Sequence, residues 1–225
     1  MSYIPTRAPS IGAAFDRGFK LYKENFNIVF LGTLLTFLVG AVACGLLVPV
    51  LTVGLNVVIL RLMRGEEPKP AAGDVFSQFS KFWPALLSSL VIGLISFLVQ
   101  AVLAFILAFI PVIGIGIVAS YVISFAFGAV SSWAFLIIAD KGAKTGEAIG
   151  SIKLIFSGKP FWMFVLVVLI SGIVGALGAI VCGIGVFFTL PLSVCMNVAA
   201  YEQMGVAAVD DGAPAPGETP QEVVG

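Results

Sequence analysis

The sequence predicts an all-α integral membrane protein: a six-helix bundle of three transmembrane hairpins, each preceded by a short amphipathic interfacial helix. Three observations carry this expectation. Of the 225 residues, 60% are hydrophobic and 11% charged, against about 45–50% and about 25% in soluble domains. Residues 25–60, 82–139 and 160–201 contain no charged side chain. All 12 Lys and Arg fall in three clusters outside those stretches: Arg7 to Lys23, Arg61 to Lys81, and Lys141 to Lys159.

A membrane-crossing helix needs about 20 apolar residues, so each uncharged stretch holds two spans. The second stretch, 58 residues long, could nearly hold three, and parity settles the number. Basic segments collect on the cytoplasmic side. Three basic clusters on one side require an even number of crossings in each stretch. Six spans follow, over 26–44, 47–64, 84–108, 112–139, 161–181 and 185–204, with both termini cytoplasmic. Pro and Gly mark the outer turns, at Pro49, Pro111 and Gly183–Gly185, where a chain leaving one helix can re-enter as another. The first apolar run, from Ile28, is too long for a signal-peptide core.

Each hairpin follows a segment with helical apolar spacing. Ile11, Phe15, Phe19, Tyr22 and Phe26 form one stripe, with Arg17, Lys20 and Lys23 opposite and Ser10 as N-cap. Val75, Phe76, Phe79 and Phe82 follow Asp74. Ile149, Ile152 and Phe156 follow Thr145, a second N-cap. Such helices lie in the headgroup plane, with their cations on anionic lipid. Residues 1–204 thus form one membrane domain, and residues 205–225 a disordered acidic tail with Asp210, Asp211, Glu218 and Glu222 but no cation.

The three units also resemble one another. Gly12-Ala13-Ala14-Phe15 parallels Gly73-Asp74-Val75-Phe76 and Gly146-Glu147-Ala148-Ile149. Thr52-Val53-Gly54-Leu55-Asn56-Val57 parallels Ser193-Val194-Cys195-Met196-Asn197-Val198. This is a parallel threefold repeat rather than an inverted pair.

Several chemistries are excluded. The chain has no His, so catalytic triads and His-based metal motifs are unavailable. Cys44, Cys182 and Cys195 form no CxxC. They read as small packing residues, with a Cys44–Cys182 disulfide as the alternative. Gly114-x-Gly116 lacks the acidic residue that a dinucleotide site needs about 20 positions on. No catalytic, cofactor-binding or metal-ligating residue is expected, and zero net charge offers no field for nucleic acid. The intramembrane polar candidates are Asn56, Gln100 and Asn197, read first as interhelical glue and second as lining for a substrate. Ser171, Gly175, Ala179 and Gly183 form a small-residue stripe suited to close helix packing. Trp83, Trp133 and Trp162 are placed as an aromatic belt near the cytoplasmic span ends.

The run Ala14-Phe15-Asp16-Arg17-Gly18-Phe19-Lys20-Leu21-Tyr22-Lys23-Glu24-Asn25-Phe26 opens a resemblance to a known family. With it go Arg61-Leu62-Met63-Arg64-Gly65-Glu66, Gly73-Asp74-Val75-Phe76, and Cys182-Gly183-Ile184-Gly185 before Thr189-Leu190-Pro191-Leu192. Together they resemble the membrane domain of some bacterial glycerophosphodiester phosphodiesterases and its stand-alone inner-membrane relatives. The resemblance implies a six-span bundle of the bacterial inner membrane and passes on no catalytic residue. The expected function is a non-enzymatic scaffold or accessory protein with a protein partner or a second copy of itself. The competing expectation is a transporter or channel for a neutral or lipid-like solute.

Overall fold

The computed structural model describes residues 2–108, 113–155, 159–180 and 185–209. The turn at Pro111, Phe156, the turn at Cys182–Gly183 and the tail from Asp210 lie outside them. The described chain is helical: α1 (Ile11–Glu24), α2 (Phe26–Val42), α3 (Val48–Arg64), α4 (Phe82–Ala108), α5 (Ile113–Lys141), α6 (Thr145–Ile155), α7 (Lys159–Ile180) and α8 (Val186–Met204). A 3₁₀ segment, Ala72–Lys81, precedes α4. Two short strands, β1 (Ser2–Pro5) and β2 (Val206–Val209), pair antiparallel.

Helix ends follow the local chemistry. Pro49 occupies the first turn of α3, where its missing N–H costs nothing. Gly65 closes α3 at φ 67°, a left-handed conformation open to glycine. Its N–H and that of Glu66 return to the carbonyls of Leu62 and Arg61 at 3.2 and 3.0 Å, capping the last turn.

Three stretches among the described residues are long and apolar enough to cross a membrane: Ala72–Phe105, Ser120–Lys141 and Pro160–Gly178. The pair α1–α2, bent by 95°, makes a fourth if counted as one broken span. The expectation was six. The difference has physical causes. With 17 residues each, α2 and α3 reach about 25 Å, short of a hydrocarbon core of about 30 Å. The second half of α8 carries Asn197, Glu202 and Gln203.

The short elements pack on long helices rather than standing apart. The Ser10 N–H donates to the Gln203 side chain at 2.9 Å, Gly18 abuts the Met196 backbone, and Phe26 stacks on Phe188 at 6.3 Å. Steps of about eight residues match along both helices, so α1 runs antiparallel along α8. The buried face of α1 is Ala14, Gly18 and Leu21, not the expected aromatic stripe. Phe15 and Phe19 stack on each other and stay 41% and 47% exposed. Small residues win the inner face because they let two backbones approach. Ser10 takes the cap position without a side-chain cap bond, its N–H being turned to Gln203.

The 3₁₀ segment lies against α3 in the same way. Gly54 meets the backbone of Val75 so closely that any Cβ there would overlap the Val75 carbonyl. The segment begins where the Asp74 carboxylate accepts the Ala71 N–H at 3.0 Å. The third short element, α6, packs against α4, α5 and β1. Ala14, Val75 and Ala148, which align in the sequence, are all buried.

The tail was expected to begin at Gly205. Instead Gly205 closes α8 in a left-handed conformation, and the next four residues pair with β1. The Thr6 N–H donates to the Met204 carbonyl at 3.0 Å, and the Tyr3 N–H to Ser151 Oγ at 3.0 Å. Segments about 200 positions apart are thereby clasped beside α6.

Candidate functional site

Two of the three polar candidates bridge helix pairs and the third does not. Asn197 of α8 accepts a hydrogen bond from Ser171 Oγ of α7 at 2.7 Å. Gln100 of α4 donates to Ser96 Oγ at 3.1 Å and accepts from Ser124 of α5 at 3.5 Å. Asn56 is buried in α3, with no side-chain hydrogen bond to a described residue. Among the described residues no hydrogen bond joins any two of the three. Replacing Asn197 by Ala should cost about 0.6–2 kcal/mol, the range of an interhelical hydrogen bond in a membrane. A double-mutant cycle with Ser171→Ala, read by thermal unfolding in detergent, should show coupling between the two.

The small-residue stripe of α7 faces α8, within the chain. Gly175 lies against Leu190 and Ser193, and Thr189 Oγ1 donates to the Gly175 carbonyl at 2.8 Å. The side chain of Ala179, and Gly183 altogether, fall outside the described residues. Cys44 is free and exposed, and Cys195 free and buried.

The charged residues converge as the sequence did not foretell. The C-terminal ends of α3, α5 and α8 meet, and Arg64 reaches from the first to the other two. Its Nη2 lies 2.7 Å from Asp140 Oδ1 and 2.5 Å from Glu202 Oε1, while its Nε also donates to Glu202 at 2.9 Å. The second Asp140 oxygen receives the Tyr201 hydroxyl at 3.0 Å and faces Lys141 Nζ at 3.1 Å. Lys81, at the entry of α4, donates to the Ala139 carbonyl at 3.0 Å.

Asp140 is 5% exposed. A carboxylate so buried needs compensating charge and donors, and Arg64, Lys141 and Tyr201 supply them. Arg suits this place because its planar fork can serve two carboxylates at once. The spacing signal existed in the sequence: acid or base in the last turn of α3, α5 and α8. Nothing in it said that the three ends would touch.

Behind the cluster sits Trp133, fully buried and packed edge-on to Phe164 and Tyr201 at 5.7 and 5.6 Å. This corrects the aromatic belt. Trp83 and Trp162 are 65% and 55% exposed, but Trp133 is a core anchor whose Nε1 finds no partner among the described residues. No group of three or more His, Cys, Asp or Glu suited to a metal occurs among the described residues.

The arrangement is a tie between helix ends. It joins residues up to 138 positions apart and encloses Asp140. No protein-family model, curated protein or solved structure matches this chain.

Proposed function

We propose that the chain is a six-span protein of the bacterial inner membrane, with both termini cytoplasmic, that serves as a non-enzymatic scaffold or accessory protein. One observation carries the membrane part of the reading: the outside of α4. This helix has 27 residues, and only 11% of its apolar window is buried. Leu90, Leu94, Phe97, Val102 and Phe105 are each more than half exposed. Soluble proteins rarely leave apolar patches of such extent open to water, and a bilayer removes the cost.

Further support comes from the charges. The return ends of α3, α5 and α8 gather through Arg64, and Lys81 and Lys141 join them there. In this reading α2 and α3 cross where their short length is met by local thinning of the bilayer. Phe79, Trp83 and Trp162 then sit at headgroup level. The short elements pack on the long ones, the 3₁₀ segment on α3, α1 on α8, and α6 on α4 and α5. The resemblance to a membrane domain that accompanies a catalytic domain elsewhere favours an accessory role.

The transporter reading finds less support. Asn197 is engaged with Ser171. Neither of the two grooves that flank Lys69 is lined by Asn56, Gln100 or Asn197. Turnover or uptake by proteoliposomes that disappears with Asn56→Ala or Asn197→Ala would replace the scaffold with a transporter.

Two measurements test the placement. Brominated lipid should quench the fluorescence of single-Trp variants retaining Trp83 or Trp162 and spare the one retaining Trp133. Cysteines introduced at Glu67 and Gly142 should resist an impermeant reagent applied to intact cells. Labelling at either position from outside overturns the orientation.

A further inference from the structure

A groove of roughly 430 Å³ lies between α1 and the C-terminal end of α3 with the loop beyond it. That volume falls in the range of small-ligand sites, about 300–1,000 Å³. Its charges separate into two sets. Lys20 pairs with Glu24 at 3.9 Å, and Glu66 with Arg61 at 3.1 Å. Arg17, Lys69 and Glu67 also line it and form no ion pair with a described residue.

We propose that this groove holds the headgroup of a zwitterionic phospholipid, its phosphodiester on Arg17 and Lys69 and its ammonium on Glu67. Two cations can converge on one phosphate, the stronger contact coming from the Arg fork. A free carboxylate beside them repels a second anion and attracts an amine. A purely anionic headgroup would leave Glu67 opposed by like charge, so this departs from the anionic lipid expected on composition alone.

The surroundings fit a lipid rather than a free solute. A second groove of roughly 350 Å³ shares Lys69, Glu24 and Asn25 with the first and adds Lys23 and Asn27 beside Phe26 and Ile28. Phe26 stacks on Phe30 and on the half-exposed Phe188. The charged grooves therefore adjoin an aromatic stack, Phe26, Phe30 and Phe188, as a headgroup adjoins its acyl chains. The inference rests on the membrane reading above, because it sets this end of the bundle at the bilayer interface.

The test uses the full-length protein purified in detergent. Short-chain phosphatidylethanolamine, short-chain phosphatidylglycerol and inorganic phosphate are titrated separately, with binding read by native mass spectrometry. Phosphatidylethanolamine should bind about tenfold tighter than phosphatidylglycerol, a difference of one decade in Kd. Glu67→Gln should abolish that preference. Arg17→Gln with Lys69→Gln should weaken both lipids. These side chains are exposed, so unchanged thermal unfolding of the variants identifies the loss as one of binding. Equal binding of the two lipids, a preference that survives Glu67→Gln, or phosphate binding as tight as lipid would each overturn the proposal. Failure of the membrane reading shows separately, as release of the protein from membranes by alkaline carbonate.

Discussion

Replacing Arg64 by Met should destabilise the protein by about 3 kcal/mol, the low end of the cost of breaking a buried ion pair. The low end applies because Arg64 is itself 38% exposed and water screens its side of the interaction. Asp140 is the deeper partner. Without Arg64 it keeps Lys141 and Tyr201 but loses its 2.7 Å guanidinium contact. Asp140→Leu should also destabilise, since it strands Arg64 beside Glu202 alone and leaves the Tyr201 hydroxyl without its acceptor.

The double variant separates pairing from packing. If the two side chains act as a unit, Arg64→Met with Asp140→Leu should cost clearly less than the sum of the single changes. Unfolding in detergent, followed by the near-ultraviolet signal of buried Trp133, is the appropriate readout. Additive losses would show that the helix ends are held by something other than this tie. Limited proteolysis should also reach the loop Gly65–Ala71 more readily in the single variants, because Arg64 ties the last turn of α3 to α5 and α8.

The second large effect is at Gly54. In an open helix position Gly→Ala stabilises by up to about 1 kcal/mol through propensity. Gly93 of α4 has nothing within 4 Å of where its Cβ would stand, so Gly93→Ala should follow that rule. Gly54→Ala should reverse the sign. Its methyl group would overlap the Val75 carbonyl, and a backbone carbonyl cannot rotate aside as a flexible side chain can. Overpacking of this kind costs about 1–3 kcal/mol, enough to outweigh the propensity gain.

Gly18 of α1 has a counterpart role, since a Cβ there would come within 2.9 Å of the Met196 Cα. Gly18→Ala should therefore loosen α1 from α8 as Gly54→Ala loosens the 3₁₀ segment from α3. Hydrogen exchange should show the loss of protection confined to residues 11–24 in one variant and 72–81 in the other. Equal stability of Gly54→Ala and Gly93→Ala would mean that the close approach at Val75 is not made.

The long helices begin and end within two residues of the limits expected from sequence: α4 runs Phe82–Ala108 against 84–108, and α8 Val186–Met204 against 185–204. Helix limits are legible because they depend on local chemistry, with charge, Pro and Gly at the ends and apolar residues between. The inner face of α1 was not legible. Periodicity singled out Phe15 and Phe19, which are large and apolar, whereas the interface selected Ala14 and Gly18 for closeness of approach. Trp133 was misread for a related reason: proximity to a helix end says nothing about which side of the helix faces protein. The pairing of β1 with β2 was equally hidden, since two four-residue segments carry no signal of a partner about 200 positions away.

By itself the sequence determined an apolar, helical, His-free chain with its cations in three clusters, because composition and charge spacing are properties of the chain and need no partner. Tertiary structure decided that Arg64, Asp140 and Glu202 meet, and that glycines at positions 18 and 54 are points of contact. Ion pairing and backbone approach depend on distances between segments far apart in sequence, and those distances exist only once the helices have packed.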